Sequence, residues 1–70
     1  MYFKRIQELR FFSKYSKKEV ALYLGVSVES YRRLESGKRE LRISELCKLA
    51  DYYDVTADYI LELSSKKEVQ

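Results

Sequence analysis

The sequence predicts an all-α fold, a compact five-helix domain, and three observations carry that expectation. Over 70 residues there is no proline, and only Gly25 and Gly37 punctuate the chain, so long stretches can run as helix. Apolar residues recur at three- and four-residue spacing, and nothing alternates with period two over a useful length. Ser16, Ser27 and Thr56 each stand where a side-chain oxygen can cap the orphan N–H groups at the start of a helix.

The elements follow in order. A first helix is expected over roughly 2–12, with Phe3, Ile6, Leu9 and Arg10 along one stripe. Ser16 caps the second, and Glu19 three residues on completes a capping box. Val20, Ala21 and Leu24 then face the core. Gly25 ends this helix, because a left-handed position costs glycine no Cβ clash. Ser27 caps a third helix over 28–35, which Gly37 closes in the same manner. The loop Lys38-Arg39-Glu40-Leu41-Arg42 leads to a fourth helix, where Ile43, Leu46, Cys47 and Ala50 recur at i, i+3, i+4 and i+7, flanked by Leu49 and Tyr53. That stripe is expected to be core, with Cys47 a buried structural thiol. Thr56 caps a short fifth helix carrying Ala57, Ile60 and Leu61. Residues 1–63 thus form one domain, and 64–70 a polar, frayed tail.

Composition narrows the function classes. Hydrophobic residues make up 46% of the chain, enough for a core, although a domain this short buries only about 60% of its unfolded surface. No apolar run follows the first charges, no stretch could span a membrane, and one cysteine cannot form an intramolecular disulfide; a cytoplasmic protein is expected. There is no histidine, no nucleotide-binding glycine motif and no metal-ligand spacing, so neither an enzyme nor a cofactor, metal or small-molecule ligand is expected. The carboxylates of Asp51 and Asp54 read as solvated surface. Lys and Arg outnumber Asp and Glu by eleven to five over residues 1–42, whereas acids outnumber bases by five to one over 43–63. A basic front and an acidic back suit a protein with one face toward a polyanion.

The most informative unit is 16–37: a capped helix, the break Gly25-Val26-Ser27, and a second capped helix. So short a turn sets two helices at a steep angle, the helix-turn-helix arrangement. On a wheel at about 100° per residue, Tyr31 and Leu34 mark the buried face of the helix over 28–35. Val28, Glu29, Arg32 and Arg33 occupy the opposite arc. These side chains can read base edges: arginine on guanine, glutamate on a cytosine amine, valine on a thymine methyl. The same pattern also fits the solvated face of an amphipathic helix.

Phe3 through Leu63 resembles the phage-repressor and Cro type of helix-turn-helix domain, the xenobiotic-response-element family. The resemblance is carried by Ile6…Leu9-Arg10, by Ser16-Lys17-Lys18-Glu19-Val20-Ala21…Leu24-Gly25-Val26-Ser27, by Tyr31-Arg32-Arg33-Leu34-Glu35-Ser36-Gly37-Lys38-Arg39, and by Leu46…Lys48-Leu49-Ala50-Asp51-Tyr52-Tyr53. It implies five helices, the third in the major groove of double-stranded DNA, in a regulator of transcription, a repressor more than an activator. It implies base contacts from Ser27, Val28, Glu29 and Arg33, with Arg32 on the same face, and phosphate contacts from Lys17, Lys38 and Arg39. An ion pair between Arg10 and Glu35 is also implied. Three residues depart from the pattern: Lys17 where glutamine is usual, Arg42 at the cap of the fourth helix where serine is usual, and Glu29 on the reading face. Arg42 offers one more cation to the phosphates. A homodimer on a near-palindromic operator is expected, because one reading helix covers too few base pairs to specify a site; helix 5 and the edge of helix 4 are its expected interface. The alternative is an antitoxin-like or regulatory protein-interaction module on the same fold, which the interface-type side chains Tyr52, Tyr53, Tyr59 and Leu63 would suit.

Overall fold

A computed structural model describes residues 3–63, and the predicted tail 64–70 lies outside them. Five α-helices follow one another: α1 Lys4–Ser13, α2 Lys17–Leu24, α3 Val28–Glu35, α4 Ile43–Tyr53 and α5 Ala57–Ile60. No strand occurs among the described residues. Ser16 accepts from the Glu19 N–H at 3.1 Å while the Glu19 carboxylate accepts from the Ser16 N–H at 2.9 Å, closing the expected box. Ser27 and Thr56 accept from Ser30 N–H and Tyr59 N–H at 3.0 and 3.1 Å. These bonds satisfy donors that no helical carbonyl can reach.

All five helices stop by one device, and only two of the stops use glycine. Lys14, Gly25, Gly37, Asp54 and Glu62 all adopt positive φ, between 58° and 81°. In each case the next backbone N–H turns back to a carbonyl of the last helical turn: Tyr15 to Arg10, Val26 to Ala21, Lys38 to Arg33, Val55 to Ala50 and Leu63 to Asp58. This double-bonded stop satisfies orphan carbonyls. Glycine adopts it without strain, whereas Lys14, Asp54 and Glu62 carry a Cβ into the left-handed region.

The core draws on every helix: Ile6 and Leu9 from α1, Val20, Ala21 and Leu24 from α2, Tyr31 and Leu34 from α3, Leu49 from α4, and Tyr59 and Ile60 from α5, with Val55 in the connection between α4 and α5. One expectation is overturned on α4. Ile43 is 80% exposed and Cys47 is also exposed. The buried residues are instead Glu45 and Leu49, with Leu46, Ala50 and Tyr53 partly covered. The helix is rotated so that the row 45–49 points inward, and Cys47 is not a structural core thiol. The tyrosines of the fourth and fifth helices are similarly committed. Tyr59 is buried beneath the Arg5 guanidinium, 4.2 Å from its ring centroid. Tyr52 stacks between Tyr15 and Tyr23, with ring centroids 4.9 and 4.1 Å away. Only Leu63 of the expected interface set stands well exposed, at 74%.

Candidate nucleic-acid interface

Helix α3 has two faces. Tyr31 and Leu34 are buried, and Glu35 is buried beside them. Val28, Glu29, Arg32 and Arg33 are all exposed on the other side. Val28 opens the helix 43% exposed, an apolar side chain with no place in the core. Ser27 caps the same helix, so its Oγ is tied to Ser30 N–H while the hydroxyl keeps its proton as a donor.

The opposite side of α3 is bolted to α1. Arg10 Nε and Nη2 donate to the two Glu35 oxygens at 2.8 and 3.0 Å, a bidentate pair with both side chains shielded, 8% and 4% exposed. Tyr31 Oη donates to Glu35 Oε2 at 2.6 Å, and Arg10 Nη1 donates to the Tyr15 carbonyl at 3.2 Å. Burial pushes the Glu35 carboxyl up, but the Arg10 and Tyr31 hydrogen bonds outweigh it and hold it below the usual carboxylate range. Burial, followed by its bond to Glu35, pushes the Tyr31 phenol well up. A planar guanidinium clamp with a third donor fixes the rotation of α3 about its axis. It thereby sets which residues face outward.

A second clamp, which the sequence reading missed, holds the loop after α3. Arg39 Nη1 and Nη2 donate to Glu45 Oε1 and Oε2 at 2.9 and 2.6 Å, and Glu45 Oε1 also accepts from the Arg42 backbone N–H at 3.0 Å. Glu45 is 5% exposed. The Arg39 hydrogen bonds, then the Arg42 N–H, hold its carboxyl below the ordinary range against the desolvation. The spacing Arg42-x-x-Glu45 carried a visible signal, since glutamate at the third helical position commonly reaches back to the cap N–H. Arg42 caps α4 without a side-chain bond to its backbone, as a guanidinium has no acceptor.

Two clefts flank the exposed face. Glu29, Arg32, Arg33, Ser36 and Lys38 line one, of about 360 Å³. Gln7, Lys17, Arg32, Glu35 and Ser36 line the other, of about 320 Å³. The fold thus gathers Lys17, Glu29, Arg32, Arg33 and Lys38 around one helix, with Glu35 of the ion pair behind them, and adds Gln7 and Ser36, to which the resemblance assigned no contact. Arg39 does not join them, because its guanidinium is turned to Glu45. Arg42 is exposed at the start of α4. Among the described residues no cluster of three or more His, Cys, Asp or Glu could hold a metal, and no helix is long and apolar enough to cross a membrane.

The two capped helices, their tight turn and the outward row on the second define a helix-turn-helix domain. The helix-turn-helix family profile, of the Cro/C1 type, matches residues 13–60, and the chain belongs to that family. Similar proteins are HTH-type transcriptional regulators of Bacillus subtilis (strain 168). The uncharacterized regulator YobD is 34% identical over 64 residues, covering 91% of this chain and 57% of its own length. AnsR is 34% identical over 64 residues, covering 91% and 55%. The SPbeta prophage-derived uncharacterized regulator YonR is 31% identical over 62 residues, covering 89% and 57%. The chain therefore spans a little over half the length of these relatives. No solved structure gives a significant match.

Proposed function

We propose that this domain binds duplex DNA in a sequence-dependent manner and regulates transcription in the cytoplasm, more as a repressor than as an activator. The carrying observation is the outward row of α3: Val28, Glu29, Arg32 and Arg33 are exposed together, with Lys17 and Lys38 bordering the same clefts. The regulator names of the relatives support the same reading. Seated in a major groove, α3 brings Arg33 to a base edge, where its planar fork can bridge guanine O6 and N7. Val28 suits a thymine methyl, and the Ser27 hydroxyl can donate to either a base or a phosphate. Lys17 at the first turn of α2 and Lys38 at the exit of α3 grip phosphates on either side of the groove. Arg42 adds a cation, whereas the engagement of Arg39 with Glu45 makes it a brace for the loop carrying Lys38.

Two copies reading half-sites about 34 Å apart supply the missing sequence information, so the operator is a near-palindrome and the bound form a homodimer. Neither a cofactor nor a small molecule enters this mechanism. Selection of duplexes from a random DNA pool, with affinities measured over a salt series, tests the reading. The expected result is an enriched, near-palindromic site and an affinity that falls steeply with salt, as retained counterions oppose binding. Salt-independent or absent binding refutes it. That result would favour a protein-interaction module, for which the exposed Phe12, Leu22 and Ile43, at 77%, 80% and 80%, supply apolar surface.

A further inference from the structure

A carboxylate on a face that meets a polyanion is a liability unless something cancels it, and on α3 something does. Arg32 Nη2 donates to Glu29 Oε1 across one helical turn, with the two side chains 59% and 60% exposed. That hydrogen bond and charge, followed by the charges of Arg33 and Lys38, hold the Glu29 carboxyl below its usual range. Glu29 is therefore an acceptor only, and one donor from Arg32 leaves Oε2 available. In the major groove guanine presents N7 and O6, and thymine presents O4; all are acceptors, which repel a carboxylate. Adenine offers its N6 donor beside the N7 acceptor. Cytosine alone offers the N4 donor with no acceptor next to it on the same base.

We propose, building on the DNA-reading function above, that Glu29 and Arg32 enter the groove as one charge-neutral unit in which Arg32 positions the carboxylate and Glu29 selects cytosine at one base pair. Removal of water on docking lowers the local dielectric and strengthens the pair. Opening it there would leave a bare carboxylate among phosphates. Arg32 consequently neither reads guanine nor neutralises a phosphate, and Arg33 is the guanidinium of this face that reads a base.

The test compares the wild type with Glu29→Gln, Arg32→Ala and the double variant, by selection from a random DNA pool and by salt titration on the selected duplex. All three substitutions fall on exposed side chains, and unchanged thermal melts verify folding. The wild type is expected to select cytosine at one fixed position of each half-site. Glu29→Gln is expected to lose about fivefold or more of the discrimination there. It also frees Arg32 for a phosphate, so the slope of log affinity against log salt steepens by about 0.9. The double variant should return that slope to the wild-type value without restoring the cytosine. Arg32→Ala should weaken binding to every duplex and blur the cytosine preference. Unchanged base preference and slope in Glu29→Gln overturn the neutral unit while leaving DNA reading intact. If the wild type enriches no site at all, both that unit and the proposed function fall.

Discussion

Glu35→Gln tests the clamp that orients α3. The substitution keeps the shape of the side chain but replaces an ionised acceptor pair by one acceptor and one donor. Three bonds converge on that carboxylate: from Arg10 Nε at 2.8 Å, Arg10 Nη2 at 3.0 Å and Tyr31 Oη at 2.6 Å. An amide oxygen can keep one or two of them, but its NH2 then faces the guanidinium. Breaking a buried pair by removing one partner costs about 3–5 kcal/mol. The lower end applies, because the bond from Arg10 Nη1 to the Tyr15 carbonyl at 3.2 Å leaves the cation one acceptor. A domain of this size has a total stability of about 4–10 kcal/mol, and 1 kcal/mol shifts its Tm by about 4–8 °C. A loss of about 3 kcal/mol thus lowers Tm by roughly 12–24 °C. Circular dichroism melts of the variant beside Glu40→Gln, an exposed carboxylate, measure this; urea titrations at low temperature keep a weakened variant within range. A fall within about 0.5 kcal/mol of the control, the usual scatter for surface substitutions, would refute the shielded clamp.

Arg33→Ala should cost about 1–3 kcal/mol on the selected DNA site and relax the preference at one base pair, whereas Lys38→Ala should weaken selected and scrambled duplexes alike and reduce the salt slope by about one; competition binding at several salt concentrations separates them, and identical behaviour of the two variants would contradict their assigned roles. Glu35 and Glu45 both have folded-state pKa values depressed below the unfolded values. Their contribution is therefore present above the unfolded carboxylate range and is lost as pH falls through their folded values, so unfolding should set in below about pH 4, and a flat Tm from pH 6 to pH 2.5 would contradict this. Lys14 sits at φ 61° in the stop after α1. Lys14→Gly should therefore stabilise by roughly 0.5–1 kcal/mol, since relief of the Cβ clash exceeds the added chain entropy, and a lower Tm for the variant would count against that strain.

Much of the fold was legible from local chemistry. Ser16 with Glu19, Ser27 and Thr56 act within one turn of their own backbone, so the starts of α2, α3 and α5 needed no knowledge of distant contacts. The outward row of α3 was equally legible, because Tyr31 and Leu34 define one face by helical period alone. Other features required the packed chain. On α4 the apolar residues Ile43, Leu46, Cys47, Leu49, Ala50 and Tyr53 wrap most of the helix, so periodicity cannot rank one face over its neighbour, and it gave no reason to turn Glu45 inward. The inward turn of Glu45 toward Arg39 and of Leu49 into the core left Ile43 and Cys47 in solvent. Arg39 looked like another cation of a basic loop, and only a partner six residues away on the next helix showed that its charge is already used. Lys14, Asp54 and Glu62 end helices without glycine, held by the backbone bonds of each stop in a conformation their residue types do not signal. The pairing of Arg10 with Glu35, expected from family resemblance, acts across 25 residues of chain. Local chemistry therefore determined where α2, α3 and α5 begin and which face of α3 is apolar, and the Arg10–Glu35 clamp holds that face inward. Tertiary packing decided that Arg10 and Arg39 are paired, because their partners stand on other helices at distances that no local pattern contains.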